Sequence, residues 1–448
     1  MGESRTELPR KYHDAVVHWQ RHNFPDYPSL QDKWDEFFPK DEPFCLCAKL
    51  AQNVPNEIEI GGRKGQPKAH RPADLDPESG KILLDQIITQ ASTEFGSIQQ
   101  HQPTLARAQE PQDQAWALRV MAEELRHGYQ MLHLLTSTDW SPVSDRAPED
   151  MVEEILSMRT GSHILAAFNL DFDSFVDNVV FAAFIDRVGK YQLSMQKVSA
   201  YKPYGESMPP MLKEEAFHLA AGVIPMRRWV EQAAGASPLI TMRTLQEACT
   251  KWFCRGLEMF GPDRDDDGGS KSVELGLKDL RNRQAQDMWI RELEQMLDDL
   301  NRRYVRARFP KLGREAADAL HDRLVAERGT IDGVSYDDDL LKLPDRRFFR
   351  RRGEGAFELV GFSGERFDDV ETYVGHLTQR LSAAYLASLD VKHYLANLRA
   401  VHAGTMTVKA AIKSMPRLAR MKGTCPCSNS VRWVVDVAPS ADAAGLNP

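Results

Sequence analysis

The sequence has no long apolar runs. Across its 448 residues, no stretch approaches the roughly 18 to 20 consecutive apolar residues that a membrane-spanning helix needs. The first ten residues are polar and lack the apolar segment of a secretory signal peptide. We therefore expect a protein without a membrane partner.

Cysteine is scarce as well. Six cysteines in a chain of this length are too few for a disulfide framework, so a reducing, cytoplasmic environment is expected. Two pairs have Cys-x-Cys spacing, which is not the Cys-x-x-Cys spacing typical of zinc knuckles, and their role stays open. The cysteines are Cys45 and Cys47, Cys249 and Cys254, and Cys425 and Cys427.

An excess of basic residues is also missing. The chain has 57 lysines and arginines against 65 acidic residues, a formal net charge of −8. Affinity for a phosphate backbone depends on basic excess, so the balance argues against a nucleic-acid partner. The 42% hydrophobic and 27% charged residues are typical of globular proteins.

The distribution of proline and of helical periodicity predicts a mainly α protein in four parts. Prolines recur in 1–75, so this segment should form turns and short helices that pack on the remainder. Residues 76–235 should form a ferritin-like four-helix bundle. A mostly helical extension is expected over 236–422, with a possible small hairpin within 329–367, followed by a loosely ordered tail over 423–448.

Proline and apolar periodicity also set the expected helix bounds. Pro209 and Pro210 are expected to open the last bundle helix, because proline is tolerated in a first turn. The bundle helices are predicted at about 81–102, 112–135, 171–200 and from 207 past 229. Further helices are predicted at 149–157, 270–304 and 370–401.

Two Glu-x-x-His motifs mark a candidate metal site. They are Glu124-Leu-Arg-His127 and Glu215-Ala-Phe-His218. A three-residue step places both side chains on one face of a helix, about 5 to 6 Å apart at Cβ. One carboxylate and one imidazole in this arrangement can hold the same cation.

Both motifs lie within the apolar stripe of their predicted helix, where a charged glutamate is costly unless it is paired or bound to metal. Each motif is preceded by a second glutamate, Glu123 or Glu214. These residues point about 100° away around the helix, so they are expected at the surface or beside the ligands.

The other two bundle helices each place one acid in their apolar stripe. Glu94 precedes Glu124 by 30 residues, and Asp186 precedes Glu215 by 29. A carboxylate helix followed by a Glu-x-x-His helix, repeated once, is the ligand set of ferritin-like di-iron proteins. The alternative is four coincidental buried acids, or surface acids assigned to the wrong face, but four unpaired buried carboxylates are hard to tolerate.

Mixed carboxylate and imidazole ligands favour iron or manganese over zinc-thiolate chemistry. Iron is preferred, because activation of dioxygen requires a change of redox state, and six ligands on two metals leave positions for O2. Glu124 and Glu215 should bridge the two ions. The remaining ligands are Glu94 with His127 on one ion and Asp186 with His218 on the other.

Several segments resemble the oxygenase components of the benzoyl-CoA epoxidase family. The most specific are Thr89-Gln-Ala-Ser-Thr-Glu94, Glu123-Glu124-Leu-Arg-His127, Ile164-Leu-Ala-Ala-Phe-Asn169, Phe184-Ile-Asp186-Arg-Val-Gly-Lys-Tyr-Gln-Leu193 and Glu214-Glu215-Ala-Phe-His218. The related phenylacetyl-CoA epoxidase subunits resemble the chain less, because they lack a long C-terminal extension.

The resemblance implies a di-iron monooxygenase that epoxidises the ring of an aryl-CoA, chiefly benzoyl-CoA to 2,3-epoxybenzoyl-CoA. It implies two iron ions, O2 as co-substrate and catalytic roles for Glu94, Glu124 and Glu215. Electrons would come from NADPH through a separate flavin and iron–sulfur reductase. The acyl group, the regiochemistry and the oligomeric state are left open by the sequence.

Substrate contacts are predicted at two places. Gln99 and Gln100 follow Glu94 on the first bundle helix and are candidate pocket residues, although either could be a core residue. The densest basic cluster contains Arg346, Arg347 and Arg350, and arginine suits the phosphates of CoA. The alternative for this cluster is a solvated loop.

Two other functions fit the same ligand set. One is a di-iron hydroxylase or N-oxygenase that acts on a different CoA-bound or carrier-bound substrate. The other is a metal-storage or oxygen-scavenging bundle, against which the roughly 200 residues after the bundle argue, because storage proteins are bare bundles.

Overall fold

The computed structural model describes residues 2–261, 268–414, 419–422 and 431–434. The chain is mainly α-helical, with a few short two-stranded sheets among the described residues. The predicted fold class, a helical bundle with a long, mostly helical C-terminal extension, is confirmed. No helix within these ranges is both long and apolar enough to cross a membrane.

The N-terminal segment is more regular than its prolines predict. Its elements are β1 (Glu3–Thr6), α1 (Arg10–Asn23), α2 (Tyr27–Asp32), α3 (Trp34–Phe37) and β2 (Ala48–Ala51). Strands β1 and β2 pair antiparallel, an element that the sequence did not predict. The 14-residue α1 forms because Tyr12, Val16 and Trp19 recur at helical spacing and are buried. Trp19 packs edge-on against Phe95 of the bundle, with ring centroids 4.7 Å apart.

The bundle consists of four long helices and a short one. They are α4 (Pro77–His101), α5 (Pro111–Thr136), α6 (Pro148–Ser157), α7 (Phe175–Gln196) and α8 (Lys202–Ala233). Asp76 caps α4 and Ser174 caps α7, each accepting a hydrogen bond from a backbone N–H of the first turn. Because Ser174 caps it, α7 begins later than the predicted 171.

The start of α8 differs most from its prediction. The helix begins at Lys202 with Pro203 in its first turn, so Pro209 and Pro210 lie inside it. Proline inside a helix costs about 3 kcal/mol. Packing of α8 against α7, α5 and β2 outweighs that local cost, which the sequence alone could not reveal.

The extension contains the remaining elements. They are α9 (Met242–Met259), α10 (Gly268–Glu274), α11 (Asn282–Arg308), α12 (Arg314–Glu327), β3 (Thr330–Ile331), β4 (Val334–Ser335), α13 (Tyr336–Asp339), α14 (Val370–Thr378), α15 (Ala383–Leu386), α16 (Leu389–His402), α17 (Val408–Ser414), β5 (Ala419–Lys422) and β6 (Val431–Val434). The helices predicted at 270–304 and 370–401 are therefore each interrupted.

The small hairpin expected within 329–367 is present at its start. Strands β3 and β4 pair around Asp332 and Gly333, which both have positive φ, as a tight hairpin turn requires. Of the tail predicted over 423–448, only 431–434 is described, and it pairs with β5. The rest of that prediction, with Cys425 and Cys427, lies outside the described residues.

The extension packs directly on the bundle helix that carries Asp186. Phe181 of α7 meets Trp252 of α9 edge-on at 5.0 Å between ring centroids. Trp289 of α11 donates a hydrogen bond to the backbone oxygen of Phe184, at 2.9 Å. These contacts hold α7 within one or two turns of Asp186, so the extension helps to fix the position of Asp186.

Candidate metal centre and adjoining cavity

The predicted ligands converge inside the bundle. Glu94 of α4 and Glu124 and His127 of α5 each offer a ligand atom within 4.8 Å of the others. Glu124 also forms such a group with Asp186 of α7 and His218 of α8. Two potential metal positions therefore share one carboxylate, and neither group includes a cysteine.

Glu124 and Glu215 both lie between the two histidines. The Nδ1 atom of His218 is 3.5 Å from an oxygen of each glutamate. The Nδ1 atom of His127 is 3.8 Å from Glu124 and 4.0 Å from Glu215. This is the placement that two bridging carboxylates require.

The groups that face one another in this centre lack hydrogen-bond partners. Five buried atoms have none: Glu124 Oε2, Glu215 Oε2, Asp186 Oδ2, His127 Nδ1 and His218 Nδ1. Unpaired buried polar groups cost folding free energy, and unpaired buried charges cost much more. Two cations placed among these atoms would satisfy all of them, so the residues fit a two-metal centre.

Electrostatics point to the same requirement. Burial raises the pKa of Glu124 well above its usual range, and repulsion from Glu94 adds to the effect. Burial likewise raises the pKa of Asp186, with repulsion from Glu215. Together these four carboxylates carry four negative charges when ionised, which two divalent cations would neutralise.

The outer nitrogen of each histidine is held by a glutamate from the opposite motif. His127 Nε2 lies 3.1 Å from Glu214 Oε2, and His218 Nε2 lies 3.2 Å from Glu123 Oε2. Such a partner fixes the ring so that Nδ1 would face a bound metal, and it makes the histidine a stronger ligand. Of the two placements expected for Glu123 and Glu214, the structure shows the one beside the ligands and not the one at the surface, because both residues are buried.

Two arginines neutralise these outer glutamates. Arg126 Nη2 lies 2.6 Å from Glu214 Oε1, and Arg119 Nε donates to Glu123 Oε1 at 3.1 Å. Against the effect of burial, the hydrogen bond with His127 and the charge of Arg126 hold the pKa of Glu214 below its usual range. The sequence signal for this arrangement was the Glu-Glu doublet in each motif, with Arg126 inside one of them.

In the metal-free protein, the charge of Glu215 and the hydrogen bond with Glu123 favour protonation of His218. Burial opposes its protonation, yet these acids raise the pKa of His218 well above its usual range. A bound cation at Nδ1 would replace that proton.

A cavity of about 450 Å³ extends between α4 and α7 from the carboxylates of this centre. Its volume lies within the range of small-molecule sites. Glu94, Glu124, Asp186 and Glu215 line one end, and Lys278 and Asn282 lie among the residues of the extension that line it. The wall between them includes Ile82, Gln86, Thr89, Gln90, Ser97, Leu165, Phe168, Ile185, Leu193, Gln196, Met259 and Phe260.

Gln99 and Gln100 do not line this cavity. Gln99 binds Asn23 and the ring of His163, each at 2.9 Å. Gln100 donates to the backbone oxygens of Ala167 and Leu170. These two residues hold neighbouring loops against α4, a role that helical periodicity cannot distinguish from pocket lining, and their contact with substrate stays a prediction.

The arginines of the basic cluster bind other residues of the extension. Arg346 pairs with Asp287 at 2.7 Å, and Arg347 pairs with Asp345 at 3.0 Å. Arg350 is buried and donates to the backbone oxygens of Arg346 and Arg352, each at 3.0 Å. These three arginines are paired within the extension, and none lines the cavity, so the structure does not support their predicted contact with CoA phosphates.

Comparison with known proteins places this centre in a family. Residues 71–316, more than half of the chain, match the model of the phenylacetic acid catabolic proteins, and the chain belongs to this family. A relative is benzoyl-CoA oxygenase component B of Aromatoleum evansii, 29% identical over 185 residues. That match covers 40% of this chain and 37% of the relative, so it spans little more than a third of the relative's length.

Proposed function

We propose that this chain is the oxygenase component of a di-iron monooxygenase that epoxidises the ring of an aryl-CoA, with benzoyl-CoA as the expected substrate. The observation that carries the proposal is the set of unpartnered, buried ligand atoms at one end of a ligand-sized cavity. The name of the relative supports the substrate class.

In this proposal, Glu94, Glu124, His127, Asp186, Glu215 and His218 are the metal ligands. Two bound irons would supply the redox chemistry that activates dioxygen. Glu124 and Glu215 each lie within 4.0 Å of both histidines, so their negative charges would reduce the repulsion between two close cations. Glu123 and Glu214 hold the imidazole rings in the binding orientation.

The cavity suggests how the substrate lies. Leu165, Phe168 and Ile185 provide an apolar wall for an aromatic ring, whose transfer from water is favourable. The carrier arm would extend along α4 and α7 toward Asn282 and Lys278. Ile82, at the far end of this path, precedes Glu94 by 12 residues, or about 18 Å of helix.

Along that path, the side chains can meet the polar groups of a carrier arm. The buried side-chain oxygens of Gln86 and Gln196 lack hydrogen-bond partners and belong to cavity-lining residues. A ligand with hydrogen-bonding groups would satisfy them, and their desolvation would otherwise be uncompensated.

The proposed reaction consumes one O2, two electrons and two protons per ring. One oxygen atom adds across a ring double bond, and the other leaves as water. The electrons would come from NADPH through a flavin and iron–sulfur reductase partner. We also propose that 76–235 is the catalytic bundle, and that 1–75 and 236–422 are supporting segments.

The test is a single-turnover reaction. Iron-loaded protein, reduced chemically and mixed with O2 and benzoyl-CoA, should yield a product heavier by one oxygen atom, with the label when ¹⁸O2 is used. Glu124→Ala is the matched control and should yield none. Two bound irons with no benzoyl-CoA product would instead favour a di-iron hydroxylase or N-oxygenase with another carrier-bound substrate.

A further inference from the structure

The N-terminal segment contacts residues beside the candidate metal centre that do not line the cavity. Lys49 of β2 places its Nζ atom 2.9 Å from Glu214 Oε1, and the Lys49 side chain is only 16% exposed. Asp41 forms an ion pair with Arg119 at 2.5 Å. The family match begins at residue 71, so both residues lie outside the matched region.

Each of these contacts continues to one histidine. Lys49 binds Glu214, which holds His127 Nε2 at 3.1 Å. Asp41 binds Arg119, which in turn binds Glu123, the partner of His218. The segment is therefore linked to each half of the centre by a separate series of charged contacts.

The residue that the N-terminal segment contributes is positively charged in one series of contacts, Lys49, and negatively charged in the other, Asp41. Lys49 adds a positive charge directly beside Glu214, which Arg126 already contacts. A more strongly neutralised carboxylate is a weaker acceptor, so His127 keeps more of its N–H proton and donates less electron density to a metal. Asp41 instead competes for Arg119 and leaves Glu123 the stronger acceptor.

The segment is held in register at this position by other contacts. The backbone N–H of Lys49 donates to Gln130 Oε1 at 2.6 Å, and Gln130 donates to Ser207 at 2.9 Å. Arg126 donates to the backbone oxygen of Cys45 at 3.2 Å and lies 4.3 Å from the centroid of the Phe44 ring. Lys49 is therefore aimed by neighbours on α5 and α8, not by a flexible surface contact.

We propose that Lys49 and Asp41 are positioning residues through which the N-terminal segment makes the two halves of the di-metal centre electronically unequal. The inference rests on the metal centre of the proposed function. It adds a role for residues that contact no metal ligand.

The test compares full-length Lys49→Met, Lys49→Arg and Asp41→Asn with wild type after loading with ⁵⁷Fe(II). Lys49→Met should bind iron about tenfold more tightly, because Glu214 becomes a stronger acceptor and His127 a stronger ligand, and this size is at the low end of effects seen for partners of metal ligands. Its Mössbauer doublets should shift relative to wild type, because Glu214 becomes a stronger acceptor. Lys49→Arg should restore both values. Lys40→Met, at an exposed position of the same segment, is the matched control and should change neither.

The Asp41→Asn variant tests the other half independently. The Asp41 side chain is 44% exposed, so its replacement buries no new group. Asp41→Asn should shift the Mössbauer doublets differently from Lys49→Met. Wild-type affinity and spectra in both variants would overturn the inference. If Lys49→Met does not fold, an unchanged spectrum of Asp41→Asn alone overturns it. Failure of wild type to bind two irons would instead refute the proposed metal centre.

Discussion

Replacing Gly222 with alanine should force α7 and α8 apart beside the metal ligands. A Cβ atom at Gly222 would lie 2.4 Å from the backbone nitrogen of Ala183 and 2.8 Å from its Cα atom. Neither backbone atom can move without shifting α7. Ala183 lies three residues before Asp186, and Gly222 lies four residues after His218, so the clash acts one turn from a ligand on each helix.

The magnitude follows from two opposing effects. Overpacking a core costs about 1–3 kcal/mol, and a contact with rigid backbone belongs at the upper end. Alanine gains about 1 kcal/mol over glycine in a helix. The free energy of unfolding should therefore fall by about 2 kcal/mol, the difference between these effects. Metal affinity should fall as well, because Asp186 and His218 move apart.

Gly375→Ala is the matched control. Gly375 is an exposed position inside α14, and an added Cβ would meet nothing within 4 Å. That variant should be as stable as wild type or more stable by up to about 1 kcal/mol. Urea unfolding of the metal-free proteins and iron titrations give both quantities. A Gly222→Ala protein with wild-type stability and iron affinity would refute the close packing on which this reasoning depends.

Four further outcomes are expected. Glu123→Gln should weaken iron binding about 10- to 100-fold, measured by iron titration, because His218 loses a charged partner. Thr89→Trp, on the cavity wall, should weaken benzoyl-CoA binding in calorimetry at least about tenfold, which is 1.4 kcal/mol, and leave iron content unchanged. Arg350→Ala should lower the free energy of unfolding in urea by about 3 kcal/mol without changing benzoyl-CoA affinity, since its buried hydrogen bonds are structural. Because the pKa values of Glu124 and Asp186 are raised, the folded metal-free protein binds more protons than the unfolded chain. Its free energy of unfolding should therefore fall as pH rises above about 4. Calorimetry should also detect the release of protons when metal binds.

The outcomes that would contradict these predictions are distinct. Unchanged iron affinity in Glu123→Gln would remove the role assigned to the outer glutamates. Benzoyl-CoA affinity that falls in Arg350→Ala but not in Thr89→Trp would move the substrate from the cavity to the extension. Stability of the metal-free protein that rises steadily from pH 4 to pH 7 would contradict the carboxylate cluster.

The convergence of the six candidate ligands could be predicted, because its signal is local. A three-residue step on a helix fixes two side chains on one face, and a carboxylate in an apolar stripe has few stable alternatives. The crossed pairs of His127 with Glu214 and His218 with Glu123 depend on how α5 and α8 face each other. No pattern within one helix contains that information, so these glutamates were placed only as adjacent to the ligands.

The surroundings of the predicted substrate contacts could not be derived from the sequence for a related reason. The arginine cluster was judged by its charge, but its partners, such as Asp287 for Arg346, are distant in sequence. Gln99 and Gln100 were judged by proximity to Glu94, whereas the face of α4 that lines the cavity runs from Ile82 to Ser97 and includes neither residue. The start of α8 was misplaced because tertiary packing overrides the local preference of Pro209 and Pro210.

The central claim is a two-iron centre built by these six ligands at the end of the cavity. Anomalous diffraction at the iron edge from iron-loaded crystals tests it most directly. The account predicts two adjacent peaks, one beside Glu94 and His127 and one beside Asp186 and His218, with Glu124 between them. A single peak, or iron peaks away from these residues, would contradict it.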